Sequence, residues 1–216
     1  MRLSVTAVAL FHSVLGVRAG VLCAADLLRS HGHDVTVVDQ YNGIVFDDYV
    51  EADAYATGIG YPSLMKSAVE AITNVERPFV VAGFSNGGGM AEYVAAITPG
   101  VRGALLLSGA LDPTMLGIQA WSETVPVQIH YTAGDPFRDQ MSIDAVEALV
   151  RRSGAPIELF NYPGTGHLFT DQSLPAEYQP LDASLLWDRA IRFLDRINPG
   201  TPRSQTVRNQ EDTPGS

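Results

Sequence analysis

The sequence predicts a three-layer α/β fold, with helices on both faces of a mainly parallel sheet. Six strongly apolar segments of strand length occur along the chain, and segments with apolar residues at helical spacing lie between several of them. A helix that connects parallel strands must bury its apolar stripe against the sheet, so this alternation is typical of a sheet covered on both faces.

The predicted elements follow one another with short connections. The strands are expected at residues 3–11, 34–39, 78–84, 101–109, 125–134 and 156–162. Helices are expected at residues 17–31, 62–72, 90–97, 142–154 and 181–197. The segment from Gln40 to Tyr61 is rich in Asp, Gly and Tyr, and we predict a loop there.

Length and composition indicate one domain at residues 1–197, followed by a flexible polar tail at residues 198–216 that has almost nothing to bury. The chain contains no uninterrupted apolar run long enough to span a bilayer, so no membrane partner is expected. Its net charge of -10 disfavours nucleic acid, because a polyanion requires clustered Lys and Arg.

The single cysteine, Cys23, cannot form an internal disulfide, and we expect a cytoplasmic protein with Cys23 in the core. The first 26 residues resemble a secretory or lipoprotein signal. We favour the strand interpretation, because His12 interrupts the apolar stretch and Leu22 stands where a lipoprotein signal requires a small residue.

The segment VVAGFSNGGGM contains the pattern G-x-S-x-G around Ser85, between a predicted strand and a predicted helix. A nucleophile at such a turn has a strained backbone, and the residues two before and two after it must be small. Gly83 and Gly87 meet this requirement. The pattern alone is weak, because it occurs by chance in glycine-rich chains.

Asp135 follows the fifth predicted strand and His167 follows the sixth, which gives the chain order Ser, Asp, His. An imidazole that removes the serine proton, oriented by a carboxylate, makes a serine hydroxyl nucleophilic. We therefore predict Ser85, Asp135 and His167 as catalytic residues. Asp112, at the end of the fourth predicted strand, is the alternative acid.

The other histidines have structural interpretations. His12 is expected to shape the loop after the first strand, and His130 to pack inside the fifth strand. His31 and His33 are expected at an exposed helix end. The aromatic residues Tyr41, Tyr55, Tyr61 and Trp121 fit either packing or a pocket and are left unassigned.

Nucleotide-binding patterns are missing from the sequence. No G-x-G-x-x-G follows the first strand, and the glycine-rich segment lacks the Lys of a P-loop. A flavodoxin-like phosphate-binding module is supported only by the layer architecture. No metal-ligand spacing stands out, so we expect neither a cofactor nor a metal.

Together, the segments ALFHSVLGVRAG, GFSNGGG, HYTAGDPF and YPGTGHLF resemble the dienelactone hydrolase family, over residues 3–197. The resemblance implies an α/β-hydrolase fold with Ser85 as nucleophile, Asp135 as acid and His167 as base. The chain starts later than typical members, which have two leading antiparallel strands. We therefore expect six parallel strands in spatial order 2-1-3-4-5-6.

Two departures from the family bear on the substrate. The namesake enzymes have a cysteine nucleophile, so Ser85 indicates a serine esterase of the same architecture. They also have a glutamate and an arginine where this chain has Ser13 and Asp171. We expect Asp171 to repel a substrate carboxylate, which disfavours dienelactone itself.

The oxyanion hole is expected to consist of the backbone N–H groups of Val14 and Asn86. The predicted function is a serine hydrolase that cleaves a small-molecule carboxylic ester or lactone through an acyl-enzyme on Ser85. A non-catalytic binding module on the same fold and an acyltransferase are the alternatives. The substrate and the oligomeric state stay open.

Overall fold

The computed structural model describes residues 5–197, which contain one sheet of six strands. The strands are β1 (Ala7–Phe11), β2 (Asp34–Val38), β3 (Phe79–Phe84), β4 (Val101–Leu107), β5 (Val127–Thr132) and β6 (Ile157–Tyr162). Their spatial order is β2-β1-β3-β4-β5-β6, and every neighbouring pair is parallel. The predicted fold class and strand order are confirmed.

Helices cover both faces of this sheet. They are α1 (Ala19–Ser30), α2 (Tyr49–Ile59), α3 (Tyr61–Ala71), α4 (Asn86–Ile97), α5 (Gln140–Ser153) and α6 (Pro180–Ile197), with a short 3₁₀ turn at Ile72–Asn74. One face packs against α1 and α6, and the other against α3, α4 and α5.

The central strands are buried on both faces, which explains their nearly continuous apolar sequences. In β1, Ala9 and Phe11 belong to the hydrophobic cluster on one face, while Val8 and Leu10 belong to the cluster on the other. All four residues have no exposed surface. The pattern of apolar residues therefore predicts both the strand and its central position.

The predicted loop at 40–61 was wrong in part, because it contains the helix α2. The Asp48 carboxylate caps this helix by accepting hydrogen bonds from the N–H groups of Val50 and Glu51. Only Ala52 and Ala56 of α2 are buried, and they contact opposite hydrophobic clusters. The helix lacks the apolar stripe that periodicity detects.

Two further expectations need correction. Cys23 is exposed, because the buried face of α1 is formed by Val21, Ala24 and Leu28, and position 23 lies about 200° around the helix from Val21. His33, which directly precedes β2, is buried, whereas His31 is exposed as expected. The proposed tail at 198–216 and the start of the first predicted strand lie outside the described residues.

None of the helices in residues 5–197 combines the length and the hydropathy that a transmembrane span requires.

Candidate active site

Ser85 occupies a sharp turn between β3 and α4. Its backbone has φ 51° and ψ -118°, and its N–H donates to the carbonyl of Leu107 in β4, at 2.8 Å. A Cβ on Gly83 would overlap the carbonyl oxygen of Gly87, and one on Gly87 would overlap that of His12. The glycines on either side are therefore required by close backbone contacts, as the sequence pattern predicts.

The following glycines bring the segment after β4 against the same turn. A Cβ on Gly88 would overlap the carbonyl of Gly109, and one on Gly109 would overlap that of Ser85. A Cβ on Gly89 would likewise overlap the side chain of Leu111. The glycine run thus allows α4 to pack closely against the segment that follows β4.

The structure brings Ser85, Asp135 and His167 together at the carboxyl ends of β3, β5 and β6. His167 Nε2 lies 2.7 Å from Ser85 Oγ, and its Nδ1 lies 2.8 Å and 2.9 Å from the two carboxylate oxygens of Asp135. The side chains of His167 and Asp135 are almost fully buried. This geometry has Nδ1–H donating to Asp135 and leaves Nε2 free to accept the serine proton.

Asp112, the alternative acid, lies elsewhere. One of its carboxylate oxygens accepts hydrogen bonds from the N–H and the hydroxyl of Thr114, at 2.8 Å and 2.7 Å. Asp112 therefore closes a local turn after β4, whereas the carboxylate that contacts His167 belongs to Asp135.

Three residues that sequence reasoning missed support the histidine loop. The Ser108 hydroxyl donates to the carbonyl of His167 at 2.7 Å. The Glu177 carboxylate accepts from the N–H of Leu168 at 2.7 Å and from the Tyr49 hydroxyl at 2.9 Å. Burial and the neighbouring Glu177 raise the pKa of Tyr49, so its phenol keeps its proton and donates. Ser108 lies next to the end of the predicted strand at 101–109, which is the one signal in the sequence for these residues.

The loop after β1 forms the opposite wall of the site. His12 contacts the carbonyl of Ser13 through Nδ1 at 2.6 Å, and its Nε2 accepts from the N–H of Gln40 at 3.1 Å. Since Nε2 accepts a hydrogen bond, the ring is neutral. Burial lowers the pKa of His12, which also favours the neutral form. His12 therefore fixes the loop that continues to Val14, in the role expected from its position.

Val14 and Asn86 both line the cavity that contains Ser85 and His167. Among the described residues, neither backbone N–H donates a hydrogen bond. Asn86 is the first residue of α4, where backbone N–H groups have no partner within the helix. Two backbone N–H groups without a partner among the described residues thus belong to residues that line this cavity.

The cavity has a volume of about 390 Å³. Segment 40–61 contributes to it through α2, and segment 109–124 contributes through the turn after β4. Besides Ser85, Asn86, His167 and Val14, its lining consists of Tyr49, Asp53, Ala56, Tyr61, Ser108, Gly109, Ala110, Leu111, Met115, Tyr131, Phe137, Asp139 and Ser142.

The expectation that Asp171 acts on the substrate was wrong. Asp171 is buried outside this cavity, with its carboxylate 3.8 Å from Nε of Arg18. One of its oxygens also accepts from the N–H and hydroxyl of Ser173. Asp171 therefore joins the loop after His167 to the start of α1, and its charge is compensated there.

Among the remaining candidates, His130 is fully buried in β5. Its Nδ1 lies 2.8 Å from the Tyr162 hydroxyl, and burial, with the nearby Arg189, lowers its pKa to about 3.

Of the four unassigned aromatic residues, only Tyr61 lines the cavity. Trp121 donates to the carbonyl of Val125 and packs in the core. Within residues 5–197, no three His, Cys, Asp or Glu side chains cluster as metal ligands.

The parallel sheet of six strands, with a serine on the turn after β3 and an aspartate and a histidine after later strands, defines a protein of the α/β-hydrolase fold. A family comparison is more specific. The dienelactone hydrolase family matches residues 2–198, and the chain belongs to this family.

Solved structures share the fold. The protein m3DLH is 21% identical, with a TM-score of 0.75 over 89% of this chain and 86% of that one. A dienelactone hydrolase-like promiscuous phosphotriesterase from metagenomic libraries is 18% identical, with a TM-score of 0.76 and the same coverages. The Bacillus cereus carboxylesterase is 16% identical, with a TM-score of 0.58 over 91% of this chain and 90% of that one. No curated protein sequence matches the chain. Family membership supports an ester hydrolase in the broad sense, and the solved structures show the shared fold.

Proposed function

We propose that the protein is a serine hydrolase that cleaves a carboxylic ester or lactone through an acyl-enzyme on Ser85. The observation that carries this proposal is the continuous hydrogen-bonded chain from Ser85 Oγ through His167 to Asp135. It lies in a cavity of small-molecule size, on a turn that the neighbouring glycines allow.

In the proposed reaction, His167 Nε2 accepts the Ser85 proton as Oγ attacks the ester carbonyl. Asp135 holds the proton on Nδ1 and stabilises the imidazolium that forms. The N–H groups of Val14 and Asn86 are proposed to stabilise the oxyanion, which is a contribution of about 10²- to 10³-fold in kcat for each donor. His167 then protonates the leaving alcohol, and water activated by the same imidazole releases the acid.

The test is covalent labelling together with turnover. We expect a fluorophosphonate to form one adduct, on Ser85, and the Ser85→Ala variant to lose both the adduct and about 10⁴-fold or more of its kcat on short aryl esters. Asp135→Asn should fold normally and lose about 10⁴-fold in kcat, because the amide no longer selects the required imidazole tautomer. Ser184→Ala, on the exposed surface of α6, is the matched control and should behave as the wild type.

An adduct on another residue, or unchanged turnover in Ser85→Ala, would rule out the proposed nucleophile. Saturable ligand binding in a wild-type protein without ester turnover would instead identify a binding module on this fold.

A further inference from the structure

Acidic side chains line the cavity of the proposed active site, and the guanidinium of Arg138, which is not part of the lining, lies 5.4 Å from the ring centroid of the lining residue Tyr131. Two carboxylates, Asp53 of α2 and Asp139 at the start of α5, line the cavity. Among the described residues in its lining there is neither Lys nor Arg. The cationic guanidinium of Arg18 lies outside this cavity and is already bonded to the carbonyl of Phe46 and to Asp47. A substrate carboxylate would therefore find no charged partner in the cavity.

Asp139 is held as an anion by its own hydrogen bonds. Its carboxylate accepts from the N–H of Met141 at 3.0 Å and from the Ser142 hydroxyl at 2.7 Å. These donors, with Ser142 first, lower the pKa of Asp139. Ser142 also lines the cavity, and Asp139 itself is exposed, so this negative charge lies at the solvent-exposed edge of the cavity.

Four aromatic side chains also line the cavity, beside aliphatic ones. Tyr49, Tyr61, Tyr131 and Phe137 all line the space, and Phe137 lies edge-on to the imidazole of His167 with ring centroids 4.7 Å apart. Burial raises the pKa of Tyr61, and the nearby Asp53 raises it further, so the phenol remains neutral. Neutral aromatic rings attract cations, and quaternary ammonium groups are bound in aromatic sites of this kind.

We propose that the cavity selects ester substrates by charge, accepting an ester that carries a trialkylammonium or similar cationic group and disfavouring one that carries a carboxylate. The carboxylates of Asp53 and Asp139 attract the positive charge of the substrate, and the aromatic rings contact the cationic group. The inference rests on the proposed function for its chemistry, but it concerns binding and is measured separately from turnover.

The experiment uses three phenyl acetates of similar size whose meta substituent is trimethylammonio, tert-butyl or carboxylate. The kcat/KM of each is divided by its spontaneous hydrolysis rate, which removes the difference in leaving group. Dissociation constants for the same esters are measured with Ser85→Ala, so that the charge preference is known even without turnover. We expect the wild type to favour the ammonium ester over the carboxylate ester by about tenfold or more, with a smaller ratio at high salt.

The double variant Asp53→Asn/Asp139→Asn should bring this ratio close to one, and Asn at position 139 preserves the helix cap. The matched control is Asp26→Asn/Asp188→Asn, which removes two charges from surface ion pairs on α1 and α6. It should keep the wild-type ratio, since the net charge of both double variants is equal.

Equal or tighter binding of the carboxylate ester by Ser85→Ala, or an equal loss of preference in both double variants, would overturn the charge selection. If the wild type cleaves none of the esters but Ser85→Ala still prefers the ammonium compound, the charge selection stands and the proposed hydrolase function fails. Cleavage of all three esters at equal normalised rates, with equal dissociation constants, supports the hydrolase and rejects the selection.

Discussion

Glu92 is a carboxyl group buried in α4, with no exposed surface. Its Oε2 accepts a hydrogen bond from the N–H of Leu111, and its Oε1 has no hydrogen-bond partner among the described residues. Burial raises its pKa from 4.5 to about 8, and the nearby Asp112 adds to this effect. The native protein therefore keeps Glu92 protonated at neutral pH, where it joins the helix after Ser85 to the cavity wall at Leu111.

This raised pKa predicts a stability that falls as pH rises. Between the pKa of the unfolded chain, 4.5, and that of the native state, about 8, only the unfolded chain has released the Glu92 proton. The free energy of unfolding should therefore decrease across this window, by up to about 1.4 kcal/mol per pH unit from this group, and level off above it. In Glu92→Gln, the amide oxygen can still accept from Leu111, and this contribution disappears.

The measurement is urea unfolding of both proteins at several pH values across the window. The difference in unfolding free energy between Glu92→Gln and the wild type should grow in favour of the variant as pH rises. A difference that stays constant with pH would show that the native pKa of Glu92 is not raised.

At the scale of elements, the helix α2 is coupled to the loop that carries His167. The Glu177 carboxylate joins Tyr49 of α2 to the N–H of Leu168, which directly follows the histidine. Leu168 is buried, so without Glu177 its N–H would have to remain unpaired or the loop would have to shift. Glu177 therefore acts as a positioning residue for the imidazole.

We predict that Glu177→Ala lowers kcat by about tenfold or more with a smaller effect on KM, since the loss falls on the orientation of His167. Tyr49→Phe is the graded comparison, because it removes only one of the two donors and leaves the Leu168 bond intact. Steady-state kinetics on a short aryl ester, with circular dichroism to verify the fold, provide the readout. Wild-type kcat in Glu177→Ala would contradict this role.

The strands and helices could be predicted from the sequence wherever they are extensively buried. The central strands are apolar on both faces, and Ser85, Asp135 and His167 each follow a strand, so their approach could be expected from parallel topology alone. Glu177 and Tyr49 could not be found in this way, because they are 128 residues apart and lie on a helix and a loop without a periodic pattern. The prediction that Asp171 acts on the substrate was wrong for a related reason. Its partner Arg18 is distant in sequence, and only the fold brings the two side chains together.

At the scale of the whole molecule, the sheet separates two hydrophobic clusters that share its strands. Leu105 and Leu106 are adjacent in β4 and fully buried, yet Leu106 belongs to the cluster under α3, α4 and α5, and Leu105 to the cluster under α1 and α6. Neither layer can lose its packing without affecting the strands that the other layer requires. The molecule should therefore unfold as one cooperative unit.

We predict that Leu105→Ala and Leu106→Ala each lower the free energy of unfolding by about 2–5 kcal/mol, because each leaves a cavity in a packed core. In both variants, far-UV and near-UV circular dichroism should show one coincident thermal transition, shifted to lower temperature. Leu181→Ala, at an exposed position of α6, serves as the control and should change stability by less than about 0.5 kcal/mol. Separate transitions for the two probes would show that the layers unfold independently.

The exposure of Cys23 has a practical consequence for measuring motion. It is the one thiol in the sequence, and it lies on α1, across the sheet from the helix that follows Ser85. A maleimide dye on this thiol and a fluorophosphonate dye on the proposed nucleophile would form a donor and acceptor pair without any engineered residue. Energy transfer between the two dyes would then follow the distance between α1 and the proposed active site in single molecules of the natural sequence.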